Sequence, residues 1–257
     1  MRFKDKVAIV TGGASGIGKE VATRFVAEGG SVVVNGRDAA KAEAAAREID
    51  PSGKRISIYT GDVAQPSTGK ALAQAALDRF GRLDVLFNNA GVFAPKPFVD
   101  VTEAELDRFL DIILKGTFFT AQAAAKVMKA SGRGGVIAQT GSMWGLQAIG
   151  ATPSSAYSVA KAGVHALVKN LAIELAPDNI RVNAIAPAVI ETPVYDTFLS
   201  PEQVKAVLPT LNAMHPLGRN GQAADAAEAL LFLASDQASF ITGVVLPVDG
   251  GVMAGRQ

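Results

Sequence analysis

Short, unbroken apolar runs rich in β-branched residues recur along this chain, and each is followed by a longer segment with helical spacing. The runs are Val7–Thr11, Ser31–Asn35, Ile56–Thr60, Val85–Asn88, Gly135–Thr140, Arg181–Ile185 and Val244–Val248. Most do not alternate in polarity, so each strand must be buried on both faces. Helices are expected to begin near Gly16, Ala39, Ser67, Thr102, Ser154, Pro201 and Gln222. Ala39–Ile49 is rich in alanine, the best helix former. Thr102-Glu103-Ala104-Glu105 has the form of a capping box. Strand and helix in alternation imply right-handed crossovers. The expected fold is α/β, a doubly wound sheet of about seven parallel strands with helices on both faces.

The chain has 257 residues with 49% apolar composition, enough for a sizeable core in one domain spanning residues 1–257. No linker, repeat or low-complexity tract divides it. Net charge is +1, which gives no electrostatic reason to bind nucleic acid. Cysteine is absent and only His165 and His215 offer imidazole, so a metal site is not expected. No apolar run approaches the ~20 residues of a membrane span. The N-terminus runs straight into a strand without a secretory pattern, so a cytoplasmic location is expected.

Thr11-Gly12-Gly13-Ala14-Ser15-Gly16-Ile17-Gly18 lies between the first strand and the first helix. Glycines there let the backbone turn tightly and approach a pyrophosphate, which the helix N-terminus attracts. A nucleoside triphosphatase loop is the rival reading, since Gly13 to Lys19 satisfies most of that pattern. Its last position requires Ser or Thr, and Glu20 stands there instead.

Tyr157-Ser158-Val159-Ala160-Lys161 places a phenol and an ammonium on one helix face. A nearby cation favours phenolate, so a lowered Tyr157 pKa is expected, suited to proton transfer near neutral pH. Ser142 follows an apolar strand and is a candidate to polarise a substrate oxygen. A solvated helix turn is the plain alternative for the pair.

In this order and spacing the motifs resemble the short-chain dehydrogenase/reductase (SDR) family in its single-domain, Rossmann-like form. The resemblance covers almost the whole chain. Thr11–Gly18 looks like the family's cofactor loop, which implies contacts at Gly12, Ser15, Gly16, Ile17 and Gly18. Asp62-Val63 looks like the pair that meets the adenine ring, and Asn88-Asn89-Ala90-Gly91 matches the motif closing the fourth strand. Asn183-Ala184-Ile185-Ala186-Pro187 matches the sixth-strand motif, with Pro187, Ile190 and Thr192 as implied contacts near the nicotinamide. Val248–Gly251 fits the usual C-terminal end. Ser142, Tyr157 and Lys161 match the catalytic serine, tyrosine and lysine. The resemblance implies hydride transfer between a nicotinamide and an alcohol or carbonyl compound, with Tyr157 as acid/base and Ser142 orienting the substrate oxygen. Lys161 would lower the tyrosine pKa and bind the cofactor ribose. It also implies a homotetramer or homodimer built from long helices such as Thr102–Ala130 and Ser154–Ala176.

The end of the second strand bears on the choice of cofactor. An acid at Gly36 would meet the ribose hydroxyls and repel a 2′-phosphate. Gly36 is neutral, and Arg37 offers a fork of donors suited to phosphate, which favours NADP(H). Asp38 as a ribose acceptor would instead favour NAD(H). The alternatives are an NAD-dependent sugar or polyol dehydrogenase and a nucleotide-binding sensor or scaffold with weakened catalysis.

Three departures stand out. Ile113 occupies a position where the family usually has asparagine, which helps hold a water behind the lysine. Isoleucine has no donor or acceptor, so Ile113 is left out of the catalytic set. Activity is expected to survive because Ser142, Tyr157 and Lys161 are kept. Ala188 stands where relatives usually carry glycine, which narrows the pocket. The stretch after Ser142 is slightly long and holds Trp144 and Gln147, read as pocket lining or as core and solvent respectively. Residues 191–220 interrupt the alternation with an apolar segment, the candidate substrate lid. His165 reads as a packing or subunit contact, and His215 as a weak candidate for substrate contact.

Overall fold

The computed structural model describes residues 1–255. Its strands are β1 (Val7–Val10), β2 (Ser31–Gly36), β3 (Ile56–Thr60), β4 (Val85–Asn88), β5 (Gly135–Thr140), β6 (Ile180–Pro187), β7 (Ile190–Glu191), β8 (Gly221–Gln222) and β9 (Val245–Val248). The α-helices are α1 (Gly16–Ala27), α2 (Ala39–Ile49), α3 (Pro66–Phe80), α4 (Glu103–Phe109), α5 (Gly116–Ser131), α6 (Ser155–Glu174), α7 (Pro201–Thr210) and α8 (Ala223–Ala234). Seven strands form one parallel sheet in the order β3-β2-β1-β4-β5-β6-β9. The doubly wound, Rossmann-like architecture expected from the apolar runs is the one found.

Burial on two faces explains those runs. Along β2, Val32 and Val34 enter one apolar layer, with Phe25 of α1 and Leu230 of α8. Val33 between them enters the other, with Leu72 of α3, Met128 of α5 and Val168 of α6. Neither face of Val32–Val34 meets water, so no polar residue interrupts that run.

Helix starts follow their caps. Thr102 and Ser200 each accept from the backbone N–H three residues on, the third of the helix, and complete capping boxes. Thr102, Ser154 and Gln222 are the capping residues, one position before the helices they open. Two features differ from the sequence expectation. The helix expected from Thr102 is interrupted by a π turn at Leu110–Lys115, between α4 and α5. A two-stranded parallel ribbon, β7 with β8, brackets most of the segment 191–220.

The parallel register sets the position of the site. Val10 pairs with Phe87, Phe87 with Ala138, and Ala138 with Asn183. The carboxyl ends of β1, β4, β5 and β6 therefore finish along one edge, where a doubly wound sheet binds ligands.

Phe25 is fully buried, stacked on Phe3 at 4.3 Å and edge-on to Phe87 at 5.8 Å. Phe25→Ala is expected to cost about 3–5 kcal/mol of stability, read by denaturant unfolding, because the cavity lies where α1 joins the sheet.

Candidate active site

The glycine loop forms the first wall of the site. Gly12 and Gly16 adopt left-handed φ values of 63° and 51°, which disfavour a side chain. A Cβ on Gly18 would overlap the Gly12 carbonyl and stand 2.6 Å from Nδ2 of Asn89, so only glycine fits this approach. Ser15 precedes α1 in extended conformation without capping it, and the first turn holds no acidic residue. The N–H groups of that turn are thus free to meet an anion, and the cradle fits a dinucleotide diphosphate. Thr192 stands beside the loop, its Cβ 3.2 Å from where a Cβ on Gly16 would be. Ile17 turns partly into the apolar core. Lys19 is drawn to Glu48 of α2, and Glu20 pairs with Arg24. Neither side chain serves the loop as a triphosphatase would require.

The end of β4 ties this loop to the rest of the edge. Thr11 Oγ1 accepts the N–H groups of Asn89 at 2.9 Å and Ala90 at 3.0 Å, and donates to Asn88 Oδ1 at 3.2 Å. Asn89 Nδ2 donates to the Thr11 carbonyl at 3.2 Å, while its Oδ1 accepts from Thr140 Oγ1 at 3.1 Å. Asn88 Nδ2 donates to the Thr117 carbonyl at 2.8 Å. Both amide side chains thus tie the end of β4 to its neighbours, Thr11 and Thr140 at the sheet edge and Thr117 of α5. Asp62 caps its own loop through Ala64 N–H, and Val63 is buried against Gly116. Pro187 ends β6, and Ile190 is buried in β7.

Ser142, Tyr157 and Lys161 converge beyond β5. Ser142 is buried in an extended conformation, and its Oγ accepts the Trp144 N–H at 3.3 Å. The Lys161 ammonium donates to the Thr140 carbonyl at 2.6 Å and lies 5.7 Å from the Tyr157 ring centre. It also faces Gly91, 3.8 Å from where a Cβ would stand. The electrostatics differ from the lowered phenol that the sequence suggested. Burial pushes Tyr157 up to about 12, opposed only by its hydrogen bond with Ser142. Burial pushes Lys161 down to about 8. Desolvation acts on both groups and outweighs their spacing along the helix.

An aromatic wall covers the phenol. Phe93 sits edge-on to Tyr157 at 5.0 Å and to Phe198 at 5.5 Å, with Trp144 at 6.1 Å. Tyr195, Leu208, Leu211 and Met214 close on the same cluster, beside Ala188. Sequence reading missed Phe93; its only signal is an aromatic two residues after Gly91. Trp144 is buried in this wall, whereas Gln147 is exposed. A cavity of about 120 Å³ opens beside Tyr157, between Ala94–Lys96, Phe109 and Pro153–Ala156. A larger one, about 650 Å³, is lined by His215, Arg219, Asp225 and Gly250 and does not reach Ser142, Tyr157 or Lys161. His215 lies there, its Nδ1 3.0 Å from the Leu211 carbonyl, away from the phenol.

Comparison with known proteins bears on this geometry. A family model described as enoyl-(acyl carrier protein) reductase matches residues 12–253. The chain belongs to the short-chain dehydrogenase/reductase family. A cis-4-hydroxycyclohexanecarboxylate dehydrogenase of Sinomonas cyclohexanicum is 41% identical over 253 residues, 98% of each chain. A 3alpha-hydroxysteroid dehydrogenase of Mediterraneibacter gnavus is 40% identical over 97% of this chain and 98% of its own. The crystal structure of a short-chain type dehydrogenase/reductase from Mycobacterium marinum superposes with a TM-score of 0.92 at 32% identity, covering 98% of this chain and 97% of that one. This SDR protein is an NAD(P)-dependent oxidoreductase of alcohols and carbonyl compounds. Among the described residues no helix is long and apolar enough to cross a membrane, and no cluster suits a metal ion.

The buried lysine has a measurable signature. Its folded pKa, about 8, lies below the ordinary 10.5, so burial penalises the folded state while the ammonium is charged. That penalty is relieved as pH rises from 8 towards 10.5, where the unfolded chain still holds the proton. Wild type is therefore expected to gain stability relative to Lys161→Met between pH 8 and 10, read by denaturant unfolding. The raised Tyr157 pKa acts only above its ordinary 10.0, outside this window.

Proposed function

We propose that this chain is an NADP(H)-dependent dehydrogenase or reductase of small to medium, partly apolar alcohols and carbonyl compounds, with Tyr157 as the acid/base. The observation that carries the reading is the convergence of Tyr157, Ser142 and Lys161 at the sheet edge that also holds the glycine cradle. A bound nicotinamide dinucleotide supplies or accepts the hydride. The cradle at Gly12, Ser15, Gly16, Ile17 and Gly18 holds its diphosphate through backbone N–H groups. Asp62 and Val63 lie towards the adenine side. Asn89, Ala90, Gly91, Pro187, Ile190 and Thr192 border the nicotinamide side. During reduction Tyr157 gives its proton to the carbonyl oxygen, and Ser142 donates a hydrogen bond to the same oxygen. The high phenol pKa keeps that proton in place until a substrate oxygen arrives. Lys161 then stabilises the phenolate, more strongly once water is excluded.

The whole chain reads as one dinucleotide-binding and catalytic domain, with residues 191–220 as its lid. Support for the lid comes from Tyr195, Phe198, Leu208, Leu211 and Met214, which pack over the aromatic wall. The apolar wall suits a ring substrate, and the two relatives above are named for ring alcohols. Assembly as a homotetramer or homodimer would use α5 and α6, where Phe118, Val159 and Ile173 are exposed.

NADP(H) is favoured over NAD(H) by the end of β2. Arg37 is exposed, and among the described residues no ion pair engages it. Asp38, the rival ribose acceptor, accepts the Lys41 N–H at 3.1 Å as the cap of α2. A Cβ at Gly36 would stand 3.4 Å from Ala14 Cβ, which leaves the approach from the glycine loop open.

Tyr157→Phe is expected to lower kcat by about 10²–10⁴-fold while cofactor affinity, read by fluorescence titration, stays within about twofold. Unchanged turnover would remove the acid/base role. Wild type that binds cofactor yet turns over no member of a broad ketone panel would favour the scaffold reading. Arg37→Ala is expected to raise KM for NADPH about tenfold or more and to leave KM for NADH nearly unchanged, since one charged hydrogen-bonding partner is lost. Equal effects on the two cofactors would refute the phosphate clamp.

A further inference from the structure

His165 is on α6, one turn beyond Lys161 and two beyond Tyr157, so the three side chains share a face. It is buried, and it does not point to an ionic partner or to solvent. Its Nε2 accepts the backbone N–H of Ser142 at 3.2 Å. To accept, Nε2 must carry the lone pair, which places the ring proton on Nδ1. Nδ1 faces the Gly145 main chain without a well-formed hydrogen bond. Burial pushes the imidazole down to about 4, so at neutral pH the ring stays an acceptor.

The turn it holds is shaped to receive it. A Cβ on Gly141 would overlap the ring at Nε2, and one on Gly145 would stand 2.8 Å from Cε1. Glycine on both sides of the Ser142 turn lets the imidazole lie flat against it. Ser142 Oγ in turn accepts the Trp144 N–H and meets the Tyr157 phenol. One face of α6 therefore carries the phenol, the ammonium and a hook on the loop that presents the hydroxyl.

We propose that His165 is a positioning residue, which fixes Ser142 against Tyr157 by accepting the Ser142 amide proton. It links the serine loop to the helix that bears the other two groups, so that all three move as one body. The kinetic part of this inference rests on the oxidoreductase reading above; the structural part does not.

The test compares wild type, His165→Leu and His165→Gln. Leucine keeps much of the volume but removes the acceptor, and glutamine returns an oxygen near the position of Nε2. Hydrogen exchange over residues 140–146 is expected to quicken about tenfold or more in His165→Leu, with kcat falling by a similar factor and cofactor Kd within about twofold. His165→Gln is expected to restore exchange and kcat to within about threefold of wild type. If His165→Leu does not fold, His165→Met carries the same measurement, because its flexible side chain fills the space without a strong acceptor at the Nε2 position. Wild-type exchange and kcat in His165→Leu would overturn the proposal, as would a glutamine variant as impaired as the leucine one. A wild type without turnover on any substrate would count against the oxidoreductase reading alone, and exchange would still decide the clamp.

Discussion

A continuous line of hydrogen bonds joins the glycine loop to the buried lysine, and the rest of the site depends on it. It runs from the Thr11 main chain and hydroxyl to Asn89, from Asn89 to the Thr140 hydroxyl, and from the Thr140 carbonyl to the Lys161 ammonium. These residues close β1, β4 and β5, whose ends carry backbone groups left over from the ladders. Buried groups of that kind must be paired. Pairing them through side chains also fixes the loop, the strand ends and α6 relative to one another. The structural requirement and the functional geometry are met by the same bonds.

The same burial sets the charge state of the site. Tyr157 and Lys161 are both displaced towards their neutral forms, the phenol upward and the ammonium downward. Burial makes each charged form harder to hold until a ligand brings compensating partners, although Lys161 still carries its proton at neutral pH. Tyr195 is pushed up by burial too, so the aromatic wall adds no charge beside the phenol. Leu208, Leu211 and Met214 deepen this effect, since each excludes water that would otherwise solvate a charge.

The seven strands of the large sheet, the glycine loop and the capping box at Thr102 were legible in the sequence because each leaves a local signature. Continuous apolar runs mark two-sided burial, and Thr102 with Glu105 marks a helix start. The β7–β8 ribbon left none, since two residues per strand make no run. Tyr157 and Lys161 could be placed on one face by spacing alone. Their pKa shifts could not, because desolvation depends on what Phe93 and the distant segment with Tyr195 and Leu208 cover. The bonds that Asn88 and Asn89 make to Thr11, Thr117 and Thr140 join residues far apart in sequence and leave no local signature. His165 looked like packing because the bond it makes is to a main-chain amide of a residue far back in sequence.

Ile113 shows why a residue type can depart from its family without losing the local shape. It sits in the π turn, buried among Phe109, Ala156, Ala160 and Val164. The turn is held by close packing on both sides. Leu114 fills the space over Gly163, 2.8 Å from where a Cβ would be, and Val63 lies 3.1 Å from where a Cβ on Gly116 would be. Glycine on α6 and at the start of α5 lets the widened turn approach α6 and the loop after β3. A polar side chain at 113 is not needed to form or keep the bend. What the isoleucine changes is the polarity of this layer, which gains no donor or acceptor from position 113 and also packs against Tyr157. The bend is therefore filled by apolar packing, while the hydrogen bond that holds Lys161 is made elsewhere, to the Thr140 carbonyl.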